Sequence, residues 1–361
     1  MTGPESSPHD AWNEMLDGLR TAGEQVAEQT AALDAAEQAD GFRALARALA
    51  NQLGRFEVDR DRPELVPFNG WRQKLFMDNP DFRYWVADVA PGGRYRVTGH
   101  PGDAVFVSIT AYAAQGGIEA TAGSRLDSDS LAFGADGSFD LVVAPERPDG
   151  DRAWLPLPEG ASVLWVRCFH ATSNPRREGW CRIEPLDPPP PAPWLDPPRF
   201  AHRLRRLGGA MSVVPSVWSA AAAAEAGTPN ELRRWDEMSG GAAFTEPGIE
   251  YLRGSWRLEP GEVLVIEGPV TACRYWNVLL YNRFLNSLDH RHRKVSATSA
   301  TATVTDGRYR FVLAAEDPGG TGDWLDTEGR PFGIVVLRWL HPEGEVEVPT
   351  TRVVRGAELT S

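Results

Sequence analysis

The sequence is poor in lysine, in cysteine and in long apolar runs. Only Lys74 and Lys294 among its 37 basic residues are lysines. With abundant alanine and glycine, that bias reads as a GC-rich coding background before it reads as function. Cys168, Cys181 and Cys273 make an odd number with no CxxC spacing, so neither a disulfide framework nor a zinc site is indicated. Taken as buried thiols, they point to a reducing compartment and a cytoplasmic protein. The opening MTGPESSPHDAWNEML has neither the basic nor the apolar region of a secretory signal. No apolar stretch reads as long enough to span a bilayer. A net charge of −13 speaks against a broad nucleic-acid or acidic-membrane surface. Several chemical signatures are also missing: a GxGxxG before a helix, a P-loop, HExxH and GxSxG. A small-molecule ligand is the partner left, with no nucleic acid, no membrane, and a homo-oligomer possible.

What is present is globular. Hydrophobic residues make 42% and charged residues 24% of the 361, a length that suits two domains with accessory helices. The 13 tryptophans are expected mainly in cores and between sheets.

The firmest feature is an internal repeat. ADGSFDLVVAPERPDGDRAWLPLPEGASVLWVRCFH, ending at His170, is matched by TDGRYRFVLAAEDPGGTGDWLDTEGRPFGIVVLRWLH, ending at His341. Both run through an Asp-Gly turn, an apolar alternation, a loop, a Trp-Leu pair and a strand closing on Arg-x-x-His. The offset is 170 for Asp136/Asp306 and Trp154/Trp324, and 171 for Arg167/Arg338. Gly99/Gly268 and Tyr112/Tyr281 carry the repeat further back.

Along the chain, residues up to about 10 read as disordered. Trp12, Leu16, Leu19, Val26 and Leu33, then Phe42, Leu45, Leu49 and Leu53, recur at helical spacing, and Asp40-Gly41 reads as the break between two helices. From Tyr84 the period becomes two, with turns every 8 to 12 residues or so, as in a sandwich or jelly roll. The proline run 187–194 reads as a stiff spacer. Residues 198–207 and 212–226 read as two helices, and Thr228-Pro229-Asn230-Glu231 as the start of another. The expected fold is mainly β with accessory helices (α+β): two duplicated antiparallel β-sandwich or jelly-roll domains, a helical N-terminus and a helical linker. The expected segments are 1–70 (helical), 71–187 (first sandwich), 188–248 (proline-rich linker and helices) and 249–361 (second sandwich).

The run Tyr275-Trp276-Asn277-Val278-Leu279-Leu280-Tyr281, with Asn286, Asp306-Gly307, Asp323-Trp324-Leu325 and Arg338-x-x-His341-Pro342, resembles the bacterial family catalogued as domain of unknown function 1214, often paired with a related N-terminal domain. The resemblance implies β-sandwich or jelly-roll domains. It implies no catalytic residue, because the family's activity is not established. Members tend to read Asn-Trp-Leu-Pro where repeat two has Asp323-Trp324-Leu325-Asp326, while repeat one keeps Trp154-Leu155-Pro156.

Duplication also filters candidate sites. Residues shared by both halves, such as Trp154/Trp324, Arg167/Arg338 and His170/His341, are most simply framework, each Arg able to pair with a loop carboxylate. Departures from the repeat carry more functional weight. The clearest is Asn282–Lys294, NRFLNSLDHRHRK, where repeat one has the bland, flexible-looking AAQGGIEATAGSR of Ala113–Arg125. On a strand, His290 and His292 would face one side and with Asp289 could hold a divalent metal, or a histidine could act as general base. Arg283, Arg291 and Arg293 nearby disfavour a cation and suit an anion. The expected catalytic residues are His290, His292 and Asp289; the expected ligand-binding residues are Arg283, Arg291, Tyr281, Trp276 and Asn286. No metal ligand is assigned, and a divalent metal remains the only cofactor possibility. Asp78 and Asp81, with Arg72 and Arg83, suggest an ion-pair network at the helix–sheet junction, a common pocket location. The function expected is an enzyme using histidine acid–base chemistry on a small, largely apolar metabolite with a polar or anionic group, in an aromatic-lined cleft. The alternatives are a non-catalytic binder of a carbohydrate or lipid-like ligand, and a structural or assembly module.

Overall fold

The computed structural model describes residues 7–116, 119–189, 191, 194–320 and 322–359. Two helices open the chain, α1 (Pro8–Thr30) and α2 (Ala35–Leu53). The first β region contains β1 (Val66–Pro67), β2 (Phe82–Asp88), β3 (Tyr95–His100), β4 (Phe106–Gly116), β5 (Glu119–Asp127), β6 (Phe139–Ala144), β7 (Ala153–Pro156), β8 (Val163–Phe169) and β9 (Trp180–Pro185). A long helix α3 (Pro197–Ala226), β10 (Leu232–Arg234) and an irregular 3-10 segment (Asp236–Phe244) lead into the second. That region holds β11 (Ile249–Arg257), β12 (Glu262–Pro269), β13 (Tyr275–Tyr281), β14 (Ser296–Thr298), β15 (Val304–Thr305), β16 (Arg308–Ala314), β17 (Asp323–Asp326), β18 (Phe332–Leu340) and β19 (Thr350–Arg355).

Each β region makes two sheets packed face to face. The first pairs β1-β2-β8-β4-β5 with β7-β6-β3-β9; the second pairs β10-β11-β18-β13-β14 with β15-β16-β12-β19, β17 joining β16. The duplication extends to its irregularities. In both halves the Trp-Leu strand runs parallel to its neighbour, β7 on β6 and β17 on β16. The Trp154 indole N–H donates to the carbonyl of Ala144 at 3.0 Å, and Trp324 donates to Ala314 at 3.1 Å. The two tryptophans latch the same loop closed, which is why both copies keep them.

The sandwiches meet through the outer faces of β2-β8-β4 and β11-β18-β13. Tyr84 pairs with Arg167 in one sheet and Tyr251 with Arg338 in the other. Phe82 and Phe169 lie 5.7 and 6.0 Å from the ring of Tyr275 across the junction. The segments entering the two sandwiches are exchanged. The carboxylate of Glu246, just ahead of β11, accepts from Ser108 (2.5 Å) and Arg167 (3.4 Å) of the first sandwich. Asp81, just ahead of β2, accepts from Tyr275 (3.0 Å) and Asn277 (2.9 Å) of the second. Even the backbone strain is repeated. Phe76 and Met77 have left-handed φ of 44° and 60°, and Ala243 and Phe244, at the same distance before the paired tyrosines, have 47° and 60°. Left-handed bulky residues are uncommon; their repetition marks them as framework.

The helices differ from the sequence reading in several ways. The break falls at Ala31–Asp34, where Asp34 caps α2 through the N–H groups of Ala36 and Glu37. Asp40-Gly41 lies inside α2. Gly41 is there for space: a Cβ would sit 2.9 Å from Val26 and 3.2 Å from Phe284. Trp12, Leu16, Phe42 and Leu53 point outward, and α1 instead buries Ala11, Met15, Ala22 and Val26. Residues 197–226 form one helix, Gly208-Gly209 and Pro215 notwithstanding. By length and mean hydropathy of 1.3 this helix could cross a membrane, contrary to the expectation that no stretch would. In the fold its inner face, with Leu204, Met211 and Trp218, is buried, and Gly208 lies close against Gly18 of α1. Thr228–Glu231 is a turn, not a helix start: Asn230 brackets the backbone of Arg257 with its amide and so extends the β10–β11 pair. Ala113–Arg125 belongs to the β4–β5 hairpin, with 117 and 118 outside the described residues. Residues 1–6, expected disordered, are also outside them, as are 190, 192 and 193 of the proline run; Pro8–Asp10 is helical.

Candidate functional site

The unmatched segment Asn282–Lys294 is a loop of turns joining β13 to β14, not a strand. Asn282 shapes its start, its side-chain Oδ1 accepting from the N–H of Phe284 (3.1 Å) and Asn286 (2.9 Å), with Leu285 in a left-handed turn at φ 55°. The loop is pinned to the segment entering the first sandwich. Met77 N–H donates to the carbonyl of Leu285 at 2.7 Å, and Asp78 accepts from both the N–H (2.9 Å) and the hydroxyl (2.6 Å) of Ser287. Lys74 is fully buried, at 0% exposure. Its Nζ donates to the carbonyl (2.6 Å) and hydroxyl (2.7 Å) of Ser287 and lies 3.8 Å from Asp78. Burial pulls the Lys74 pKa down, Asp78 resists, and Arg47 adds to the lowering.

Trp71 forms the wall beside this cluster. Arg291, Lys74 and Arg47 lie 4.8, 5.1 and 5.8 Å from its ring centre, and His290 meets it edge-on at 5.0 Å. A small pocket of about 40 Å³ opens here, lined by Arg43, Arg47, Trp71, Lys74, Asn282, Ser287, Leu288, Asp289 and Glu328. Arg43 is held by Asp40 (2.7 Å). Arg47 has no carboxylate in salt-bridge range among the described residues; burial and then Arg43 lower its pKa.

The expected site residues therefore separate. His290 is inside the corner with a buried Nδ1 that has no partner among the described residues. Burial, and then Lys74, push its pKa down to about 4, so it is neutral at neutral pH and a weak base there. His292 is exposed, its Nδ1 2.9 Å from Asp289. The two histidines do not share a face, since a turn replaces the strand that would align them. Asp289 is occupied by His292 and by the N–H groups of Arg291 and His292; burial raises its pKa, but these bonds bring it down on balance. No group of three metal-ligating side chains forms among the described residues. Arg291 lies over the ring of Trp71.

The other expected ligand-binding residues are placed elsewhere. Arg283 pairs with Glu37 (2.9 Å) on the wall of a separate, larger cleft of about 640 Å³ between α2, α3 and the second sandwich. Trp276 is not a cleft residue: it packs in the second sandwich against Tyr309 and Phe311. Tyr281 is buried at the domain junction, where its hydroxyl accepts from Arg338 at 2.7 Å. Asn286 is a loop-former, donating to the carbonyl of Phe284 at 3.1 Å.

The repeat-two departure at Asp323 and Asp326 acquires a physical reason. Asp323 accepts from Lys294 at 2.6 Å and Asp326 from Arg293 at 2.7 Å, so the altered carboxylates fasten the far end of the unmatched loop. Of the framework pair, Arg167 has its loop carboxylate in Glu246, whereas Arg338 has no carboxylate within salt-bridge range among the described residues and uses Tyr281 instead. The residues the sequence reading missed are Lys74, Ser287, Trp71, Arg47 and Arg43. Asp78 and Asp81 were in view, though their partners are Ser287, Lys74, Tyr275 and Asn277 rather than Arg72 and Arg83, and Arg83 pairs instead with Glu178 at 2.8 Å.

A tandem pair of β-sandwiches with exchanged entry segments, one of them carrying a loop where the other has a hairpin, defines the class of protein. The family model described as protein of unknown function (DUF1214) matches residues 87–173 and again 257–344, and the chain belongs to that family. A solved structure of an uncharacterised protein from Burkholderia cenocepacia is similar at 30% identity, covering 97% of this chain and 98% of that one, with a TM-score of 0.88. The VPA0106 protein from Vibrio parahaemolyticus is 13% identical over 94% of this chain and 100% of that one, at a TM-score of 0.49. No curated protein matches the chain.

Proposed function

We propose that this protein binds a small molecule carrying an anionic group, and that the Trp71 corner receives the anion. One observation carries the reading: Arg47, Lys74 and Arg291 converge on one indole ring while Arg47 has no carboxylate partner among the described residues. Like charges gathered in a half-buried site oppose one another, and a bound anion relieves that cost. The small pocket admits a compact charged group, with room for a water or two. The apolar body of a ligand has a separate candidate berth in the larger cleft, of ligand-pocket size, with Phe284, Phe332 and Arg283 on its walls.

We also assign the protein to the bacterial cytoplasm. Supporting this, the three cysteines Cys168, Cys181 and Cys273 are all free. The binding reading is tested by thermal unfolding with phosphate, sulfate and acetate against chloride at equal ionic strength. The expected result is a saturable rise in Tm with at least one oxyanion, abolished by Arg47→Ala. No rise beyond the chloride control would sink it.

A further inference from the structure

We infer that Ser287 is a nucleophile, held between Asp78 and Lys74, that cleaves short-chain acyl esters in the Trp71 pocket. The inference rests on the preceding reading for the location of the site, and adds a reaction to it.

Four observations converge. The Ser287 hydroxyl donates to Asp78 Oδ2 at 2.6 Å and accepts from Lys74 Nζ at 2.7 Å. A hydroxyl with an oriented base on one side and a cation on the other is the arrangement an activated nucleophile needs. The second observation is that Asp78 also accepts the Ser287 backbone N–H at 2.9 Å, fixing the serine's position rather than only its hydroxyl. Third, Ser287 and Lys74 both line the pocket together with Arg47, whose guanidinium, unlike that of Arg43 beside Asp40, has no carboxylate in salt-bridge range among the described residues and is available to an oxyanion forming there. Fourth, the cluster breaks the internal symmetry. Lys74 and Asp78 lie ten and six residues before Tyr84; Gly241 and Thr245 hold those places before Tyr251. Ser287 lies on the loop that replaces the β4–β5 hairpin of the first half. A framework function would be expected in both halves, and this trio is in one. Lysine at this position also differs chemically from the arginine the chain otherwise prefers, because an ammonium can change its charge state where a guanidinium does not.

The chemistry balances without a cofactor. Ser287 Oγ bonds to the ester carbonyl carbon as its proton passes to Asp78. The tetrahedral oxyanion forms beside Lys74 and Arg47. The ester C–O bond breaks, and the alcohol leaves with the proton held by Asp78. Water then attacks the acyl-Ser287 ester, giving Asp78 a proton that returns to Ser287 Oγ, and the carboxylic acid is released. The pocket of about 40 Å³ limits the acyl group to a very short one, such as acetyl.

The test uses a reagent of matching size on the full chain. Methanesulfonyl fluoride bonds its sulfur to a reactive Oγ as fluoride leaves. The expected result is one methanesulfonyl group per chain by intact mass, mapped to Ser287, with initial labelling at least tenfold slower in Lys74→Met and Asp78→Asn. Labelling absent, or mapped to another residue, overturns the inference; since mapping is done on the unsubstituted protein, it does not depend on either variant folding. Oxyanion stabilisation without labelling would remove the nucleophile and leave the binding reading standing. Labelling of Ser287 without oxyanion stabilisation would do the reverse.

Discussion

Glu246 offers the sharpest test of how the two sandwiches are joined. It precedes β11, yet its carboxylate is 2% exposed and serves the first sandwich. Ser108 donates to it at 2.5 Å, Arg167 lies at 3.4 Å, and Arg125 Nε lies at 2.5 Å. Arg167 is itself 2% exposed. Glu246→Ala leaves that guanidinium buried without its counter-charge, a change that typically costs about 3–5 kcal/mol. Arg167 keeps a hydrogen bond to the carbonyl of Phe244, which places the expected loss near the lower end, about 3 kcal/mol. For a coupled unit of 361 residues, a fall in Tm of about 4 °C corresponds to it. Glu246→Gln keeps an acceptor for Ser108 and should lose about half as much. Urea unfolding followed by tryptophan fluorescence reads both, because Trp165 lies under Arg167 at 4.6 Å and against Phe244. A useful control is Glu345→Ala, whose carboxylate is 83% exposed beside Arg234 and should matter by less than about 1 kcal/mol. If Glu246→Ala also costs less than about 1 kcal/mol, the exchanged entry segments are not what couples the sandwiches.

Two further predictions use the helices and the corner. Gly208→Ala should destabilise by about 1–3 kcal/mol, since its Cβ would lie 2.7 Å from the Met15 backbone. Its neighbour Gly209→Ala meets nothing within 4 Å and should stabilise the same helix by up to about 1 kcal/mol; chemical denaturation of the pair gives opposite signs or the α1–α3 packing is misread. His290, with a folded pKa of about 4, binds its proton less readily folded than unfolded. Stability from this group is therefore present above pH about 6.5 and lost as pH falls toward 4, by on the order of 2 kcal/mol after allowing for partial exposure. His290→Asn should flatten that part of the stability-against-pH curve, and an unchanged slope would show that His290 is freely protonated.

The duplication was legible because its markers are short-range and chemically constrained: an Asp-Gly turn, a tryptophan that closes a loop, an arginine near a strand end. Strand periodicity was legible for the same reason. The helix boundaries were not. Asp40-Gly41 has the composition of a breaker, but Asp40 is buried to receive Asn282 and Arg330, both at 2.7 Å, and Gly41 to admit Phe284. Those demands come from residues more than two hundred positions away. The corner was half legible. Loss of symmetry located the loop, yet it favoured His292, which is exposed, over Ser287, which has no distinctive neighbours in sequence. The usable signal was scarcity: both lysines of the chain touch this loop, Lys74 at Ser287 and Lys294 through Asp323 at its end. Of the two, Lys74 is fully buried, whereas Lys294 is half-exposed and pairs with Asp323 much as Arg293 pairs with Asp326.

That contrast also explains why the corner exists once. The two entry segments share their left-handed pair and their exchange across the junction, so either might have carried a cation into the other sandwich. At Gly241, the counterpart of Lys74, a Cβ would stand 2.5 Å from the Cβ of Ala122 and 3.1 Å from Pro247, with φ at 87°. The β4–β5 hairpin fills the space that its counterpart, the loop 282–294, leaves open on the other side. Gly241→Lys should therefore disrupt packing by steric overlap and left-handed strain together, costing more than about 2 kcal/mol, and should create no second oxyanion-dependent rise in Tm. Were the variant to fold with near-normal stability, the hairpin would be yielding, and the asymmetry of the corner would have to be explained by the loop alone.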